Sequence, residues 1–243
     1  MTAVRAAFQG QWDEALRLLR ESGDGQLEVL AGRHPAELVT PPAPRRVHER
    51  SLVFACDDFM PEGFADWFIA SAREGLKPAL VNNAHGQGVP DPMRTATMFQ
   101  FGPERIDVLG VIMQHRAAHL FGLSPLQFEP PNVLSYEPGQ SFDYHCDFVD
   151  PAVPLFAREL QTFGQRVATV VTYLNADFTE GETDFPDLGI RFRGAPGDAV
   201  AFSNVMSNGE PDRLTKHAGL PPTSGRKFAL SQWARSKLLG WLR

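Results

Sequence analysis

Apolar residues recur at helical spacing near the start of the chain and at strand spacing toward its end. That change of period divides the sequence. Over residues 3–21, Phe8, Trp12, Ala15, Leu16 and Leu19 fall on one helix face, and Gly23 follows as a stop. Residues 11–19 resemble one tetratricopeptide-type helix, but stable arrays need about three repeats, so one helix docked on a larger body is expected. Pro41, Pro42 and Pro44 mark a linker, with Arg45 and Arg46 behind it. Residues 51–56 form an apolar run suited to a buried strand. Pro61 then opens a helix to about residue 74 that carries Phe64, Trp67, Phe68 and Ala72 on one side. Residues 82–92, rich in Gly, Asn and Pro, read as a mobile loop. A long helix follows Pro103, through Ile106, Leu109, Met113 and Leu120, to Gly122. Beyond Asn132 the pattern becomes short β segments at 132–137, 142–148, 166–175, 190–193, 198–203, 214–218 and 226–235. Such even spacing indicates a sandwich, jelly roll or barrel. The chain is therefore expected to be α+β, with helices first and an all-β half second.

Composition narrows the class. The 243 residues suffice for one sizeable core with a small appendage. Lys and Arg number 23 against 29 Asp and Glu, a net charge of −6, and no basic stripe suggests a nucleic-acid partner. No apolar run approaches the ~18–20 residues of a membrane span, and no apolar signal core follows Met1. Cys56 and Cys146 alone make neither a disulfide framework nor a Cys-rich zinc site. A soluble, cytoplasmic protein is expected. Seven histidines are the inventory worth following, as common metal ligands and proton carriers.

In the all-β half stands His145-Cys146-Asp147. Side chains alternate along a strand, so His145 and Asp147 are expected on one face and Cys146 on the other. The bare tripeptide is a weak signal, and a third ligand must come from elsewhere. His217 is the other histidine of this half. Two His and one carboxylate with open positions suit a non-haem Fe(II) oxygenase. In the last strand Lys227, Ala229, Ser231 and Trp233 share a face, and an inward lysine beside a metal is costly unless it meets an anion. A dicarboxylate chelating iron through one end would supply that anion at its other end.

These residues carry a family resemblance. The stretch from Tyr136 through Phe142 and His145 to Asp147 resembles the first metal-binding strand of prolyl 4-hydroxylase-like 2-oxoglutarate/Fe(II) dioxygenases. Gln165-Arg-Val-Ala-Thr-Val-Val-Thr-Tyr-Leu-Asn175, Glu180-Gly-Glu-Thr-Asp-Phe-Pro186, Gly197-Asp-Ala-Val-Ala-Phe202, Lys216-His-Ala-Gly219 and Gly225-Arg-Lys-Phe228 are similar to later family segments, in the family's order. The likeness runs from about residue 52 to 236. It implies a double-stranded β-helix (jelly roll) core over about 130–236 with supporting helices. That core would lie inside a dioxygenase domain of residues 46–243, preceded by a helical segment and Pro-rich linker of residues 1–45. His145, Asp147 and His217 would hold Fe(II), while Lys227 and Tyr136 would bind 2-oxoglutarate. Arg166 and Trp233 would act on the substrate side, Arg166 as a substrate-associated arginine and Trp233 as a bulky pocket residue. The implied reaction consumes O2 and 2-oxoglutarate, releases succinate and CO2, and hydroxylates a prolyl residue in a peptide or protein. Ascorbate is a further candidate cofactor.

One position departs from the family. Members acting on prolyl peptides commonly carry a tyrosine three residues before the first iron ligand, where this chain has Phe142; Tyr144 is assigned the opposite strand phase. The same chemistry on a free amino acid or other small metabolite therefore stays open, as does a non-catalytic jelly-roll binding module. The loop at 82–95 is a candidate lid, because Arg94-Thr95 resembles an Arg-Thr pair of the family. The N-terminal helix is a candidate partner-docking element. His115 and His119 lie four apart on a helix, but Arg116 stands where a zinc protease needs Glu, so a structural helix face is expected. His34, His48 and His85 are expected to be solvated, and Cys56 buried.

Overall fold

The computed structural model describes residues 2–82, 88–90, 92–102 and 104–239. His85 and part of the candidate lid, at 83–87 and 91, lie outside the described residues. Four short helices come first: α1 (Ala3–Phe8), α2 (Trp12–Ser22), α3 (Gln26–Leu30) and α4 (Pro35–Leu38). The single helix expected over 3–21 is thus two. Gly10 takes a left-handed φ of +70°, and the Gln11 N–H turns back to Ala6 O, which ends α1. The apolar face survives the break, since Phe8, Trp12, Ala15, Leu16 and Leu19 are all buried.

Next come β1 (Arg45–His48), β2 (Val53–Cys56), α5 (Phe64–Arg73), β3 (Lys77–Pro78), β4 (Leu80–Asn82), β5 (Gly88–Pro90), β6 (Thr97–Gln100) and α6 (Val108–Phe121). Most of α6 is buried, because the N-terminal helices cover one side and the main sheet the other. Its start is tied down by neighbours. Asp107 accepts from the Gly110 N–H at 2.7 Å and from Trp67 Nε1 at 2.6 Å, and Gln26 Oε1 accepts from the Leu109 N–H. Arg116, expected on a structural face, is buried and donates to the carbonyls of Leu38, Thr40, Asp58 and Phe59. His115 packs edge-on against Trp12, with ring centroids 5.1 Å apart. His34 caps α4 and bonds Asp13 at 3.2 Å.

The rest is mostly sheet: β7 (Asn132–Tyr136), β8 (Phe142–His145), α7 (Ala157–Phe163), β9 (Arg166–Tyr173), β10 (Phe178–Glu180), β11 (Thr183–Phe185), β12 (Ile190–Phe192), β13 (Ala199–Ser203), β14 (His217–Gly219), β15 (Pro222–Gly225) and β16 (Lys227–Arg235). Among the described residues, eight strands form one antiparallel sheet in the order β1-β2-β13-β9-β16-β7-β6-β3. Four more form a second sheet, β12-β11-β14-β8. The larger sheet buries one face under α6 through Val133, Val170, Ala201 and Leu230. On the other side, a small cluster of Val53, Phe185, Val200 and Phe202 joins the two sheets. This is the jelly-roll core with supporting helices that the sequence predicts.

Candidate metal centre

Two features of β8 differ from the alternating strand read from sequence. The strand ends at His145, so Asp147 sits in the bend beyond it and strand alternation does not aim its side chain. A β-bulge also lies inside β8. His217 pairs with His145 and Gly219 with Phe142, so two residues of β8, Asp143 and Tyr144, stand opposite one of β14, Ala218. The extra residue brings Phe142 onto the face of His145, where the rings stack with centroids 3.5 Å apart and 17° between planes. Regular alternation would put Phe142 and Tyr144 on one face, so the opposite phase assigned to Tyr144 does not follow from alternation. The bulge separates them, and Tyr144 turns outward to donate to Asp184 Oδ2 at 2.7 Å.

The same register places His145 opposite His217, and Asp147 completes the set. A ligand atom from each of the three lies within 4.8 Å of the others. Each imidazole is held by its far nitrogen: His145 Nδ1–H donates to Asp143 O at 2.7 Å and His217 Nδ1–H to Thr215 O at 3.0 Å. This leaves both Nε2 lone pairs free for a metal. Burial pushes His217 down to about 4, helped by the neighbouring His145. Burial alone would raise Asp147, but attraction to His217 together with the bond and charge of His145 hold it well below the usual carboxylate range. Two imidazoles and a carboxylate, with no thiolate among them, are a donor set that fits Fe(II). Cys146 lies in the wall of the adjoining groove, with its thiol pushed up to about 11 by burial.

Behind the triad is a narrow pocket lined by Tyr136, Lys227, Gly219, Thr183, Ser231 and Trp233, among others. Lys227 is 1% exposed and pairs in register with Tyr136. Its Nζ donates to Gly181 O at 2.8 Å and sits over the rings of Tyr136 and Tyr173 at 5.1 and 4.7 Å. No carboxylate reaches it among the described residues. Burial accordingly pulls it down to about 7, with only partial compensation from Glu182. Gly219 lets the Tyr136 hydroxyl approach, since a Cβ there would lie 3.1 Å from that oxygen.

In front of the triad a broad groove opens, and it contains Arg166, Trp233 and Arg94. Arg166 bonds Glu129 through Nε at 2.7 Å and Nη2 at 3.0 Å, and its guanidinium lies 4.3 Å from the Trp233 ring centroid. The same Glu129 accepts from Arg235 Nε at 2.5 Å. Trp233 Nε1 is buried with no partner among the described residues. Arg94 lies over the outer face of Phe142 at 4.4 Å, its Nε and Nη2 likewise buried without acceptors among the described residues. All seven residues singled out from the sequence thus meet around one centre. Sequence reasoning missed Glu129, Tyr173, Thr169 and Asn204. For Thr169 a signal existed: a polar residue in phase with Val171 on the inward face of the central strand.

Comparison with known proteins points the same way. A family model described as the 2OG-Fe(II) oxygenase superfamily matches residues 131–235. Prolyl 4-hydroxylase 2 of Arabidopsis thaliana is 25% identical over 221 residues, covering 82% of this chain and 72% of the relative. Prolyl 4-hydroxylase 1 of the same plant is 30% identical over 200 residues, covering 76% of this chain and 69% of the relative. Among solved structures, the viral collagen prolyl hydroxylase of Paramecium Bursaria Chlorella virus-1, in its 2OG complex, superposes with a TM-score of 0.57 at 27% identity. That match covers 74% of this chain and 94% of the viral one.

Proposed function

The chain belongs to the prolyl 4-hydroxylase-like 2-oxoglutarate/Fe(II) oxygenases, and from that premise we propose that it hydroxylates a prolyl residue in a peptide or protein substrate. The observation that carries the reading is Lys227. A buried lysine whose acceptor among the described residues is one carbonyl, on the strand face that lines the pocket behind the metal triad, can hold its charge only against an anion of defined reach. The far carboxylate of 2-oxoglutarate supplies it.

His145, His217 and Asp147 would hold Fe(II). Bound together, metal and cosubstrate supply the activation of O2 and the oxidative decarboxylation to succinate and CO2. The chain's own contribution is placement and exclusion of water. Lys227 neutralises the distal carboxylate, and the Tyr136 hydroxyl beside Gly219 donates to it. Phe142 shields one face of His145 from solvent. Trp233 borders both the pocket and the groove, so it separates cosubstrate from peptide. Arg166, held by Glu129, gives that indole a fixed backing. Arg94, whose Nε and Nη2 have no acceptor among the described residues, would take a backbone carbonyl of the peptide where the family tyrosine hydroxyl is missing. Two parts of the reading stand further from the site. Ascorbate would serve as the accessory reductant that keeps iron ferrous, and a cytoplasmic location accords with two free thiols. The amphipathic N-terminal helices spend their apolar faces on α6, so partner docking there would use their polar faces.

Anaerobic addition of Fe(II) and 2-oxoglutarate should produce the visible absorption band of the chelate. In air, a proline-rich peptide should gain one oxygen while succinate is released. Absence of the band, with no turnover on prolyl peptides, would sink the assignment; oxygen gain confined to free amino acids or small metabolites would replace the substrate class.

A further inference from the structure

Because Asp147 lies beyond the end of β8, ladder hydrogen bonds do not orient its side chain, yet the carboxylate is held. Thr169, fully buried on the central strand β9, brings Oγ1 to 2.8 Å from Asp147 Oδ2. Behind it Asn204, also fully buried, places Nδ2 2.9 Å from Thr169 Oγ1. Asn204 is pinned at both ends of its backbone. Its N–H donates to Val167 O, and its carbonyl accepts from the Asp212 N–H, each at 2.9 Å.

Chemistry sets the direction of this chain. An ionised carboxylate only accepts, an amide NH2 only donates, and a hydroxyl has one proton. With Asn204 Nδ2 occupying a lone pair of Thr169 Oγ1, the Thr169 proton is committed to Asp147. Turning the amide over would draw that proton to Asn204 Oδ1. A buried anion would then lack its donor and a buried NH2 its acceptor, so the orientation is the one that satisfies both.

We propose that Thr169 and Asn204 are positioning residues for the metal, a two-link relay that ties down Oδ2 of Asp147 and leaves Oδ1, 3.5 Å from His145 Nε2, for the metal. The relay rests on the Fe(II) reading of the triad. It spans three elements far apart in sequence: the bend after β8, the middle of β9 and the residue after β13. A sliding of β9 against β13 would therefore be felt at the metal. Neither residue touches the substrate groove.

The test uses the full chain and does not depend on turnover. Fe(II) affinity is measured anaerobically by competition with a chelator, together with the visible band of the Fe(II)–2-oxoglutarate complex and the melting of the metal-free protein. Partners that orient a ligand are typically worth about 10–100-fold in metal affinity. Thr169→Val should lose affinity on that scale and alter the band, whereas Thr169→Ser, which keeps the hydroxyl, should restore both. Asn204→Ala should weaken binding in the wild-type background and add nothing to Thr169→Val, because it acts only through that hydroxyl. Unchanged affinity and band in folded Thr169→Val, or losses that add in the double variant, would overturn the relay. Should Thr169→Val not fold, unchanged affinity in a normally melting Asn204→Ala overturns it instead. A wild-type chain that binds no Fe(II) would overturn the metal reading itself, which separates the two failures.

Discussion

At the scale of single residues, Lys227 is the side chain whose state depends most on what fills the site. In the cosubstrate-free protein burial holds it at about 7 against an ordinary value of 10.5. Between those values the unfolded chain carries a proton that the folded one lacks. The stabilisation tied to this group is therefore present above the upper value and lost as pH falls toward 7. A dicarboxylate reverses the balance by favouring the ammonium. Calorimetric titration of 2-oxoglutarate at about pH 8.5, in two buffers of different protonation enthalpy, should show uptake of nearly one proton. Heats independent of buffer would mean that the lysine is already charged. Lys227→Ala should weaken cosubstrate binding by about 2–5 kcal/mol and leave Fe(II) affinity alone. Phe142 makes a different prediction. Its ring is sandwiched between the Arg94 guanidinium and the His145 imidazole. Phe142→Tyr should keep Fe(II) and 2-oxoglutarate affinity while changing KM for a prolyl peptide. An unchanged KM would reduce the ring to a cover for His145.

At the scale of elements, the site depends on short strands whose register is set by bulges and turns. The long strands β9 and β16 were legible because runs rich in apolar residues and Thr persist over eight or nine residues without Gly or Pro. Those at 178–180, 183–185 and 222–225 were not, because they are only three or four residues long and Gly181, Pro186, Pro222 and Gly225 beside or within them read as turns. Yet β15 and the turn after it deliver Lys227. At its end Gly225 has φ of +72°, and a Cβ there would lie 2.0 Å from Asp177 O. Gly225→Ala therefore combines a left-handed backbone cost with a clash against main chain. It should destabilise the fold by about 3 kcal/mol or more in urea unfolding and lower 2-oxoglutarate affinity through displacement of Lys227. A variant with unaltered midpoint and affinity would show that the turn relaxes freely.

At the scale of the whole molecule, α6 joins the N-terminal helices to the jelly roll. It is buried nearly all round, and residues 1–40 supply part of that cover, with Phe8, Leu16 and Leu19 in the same apolar cluster as Val170 and Leu230. Arg116 adds a second tie by donating to the carbonyls of Leu38 and Thr40. Deletion of residues 1–40 should expose a large apolar face and leave the Arg116 guanidinium buried with fewer acceptors. Aggregation, or a substantially lower melting temperature by circular dichroism, is the expected outcome. A monomeric truncation that melts like the full chain would make the segment a dispensable appendage.

The sequence by itself singled out the side chains that come together, two histidines, a carboxylate and a lysine, and the jelly roll that carries them. These were legible because ligand type is a property of the side chain, whereas unbroken alternation in β8 would have misplaced Phe142 and stops short of Asp147. The likeness of several short motifs in order did the rest. Only the tertiary structure decided how those groups converge. The bulge in β8, the pairing of His145 with His217, the bend that carries Asp147 and the approach of Thr169 and Asn204 all arise from contacts between strands distant in sequence. Their geometry follows from register and burial, which a local pattern of residues does not encode.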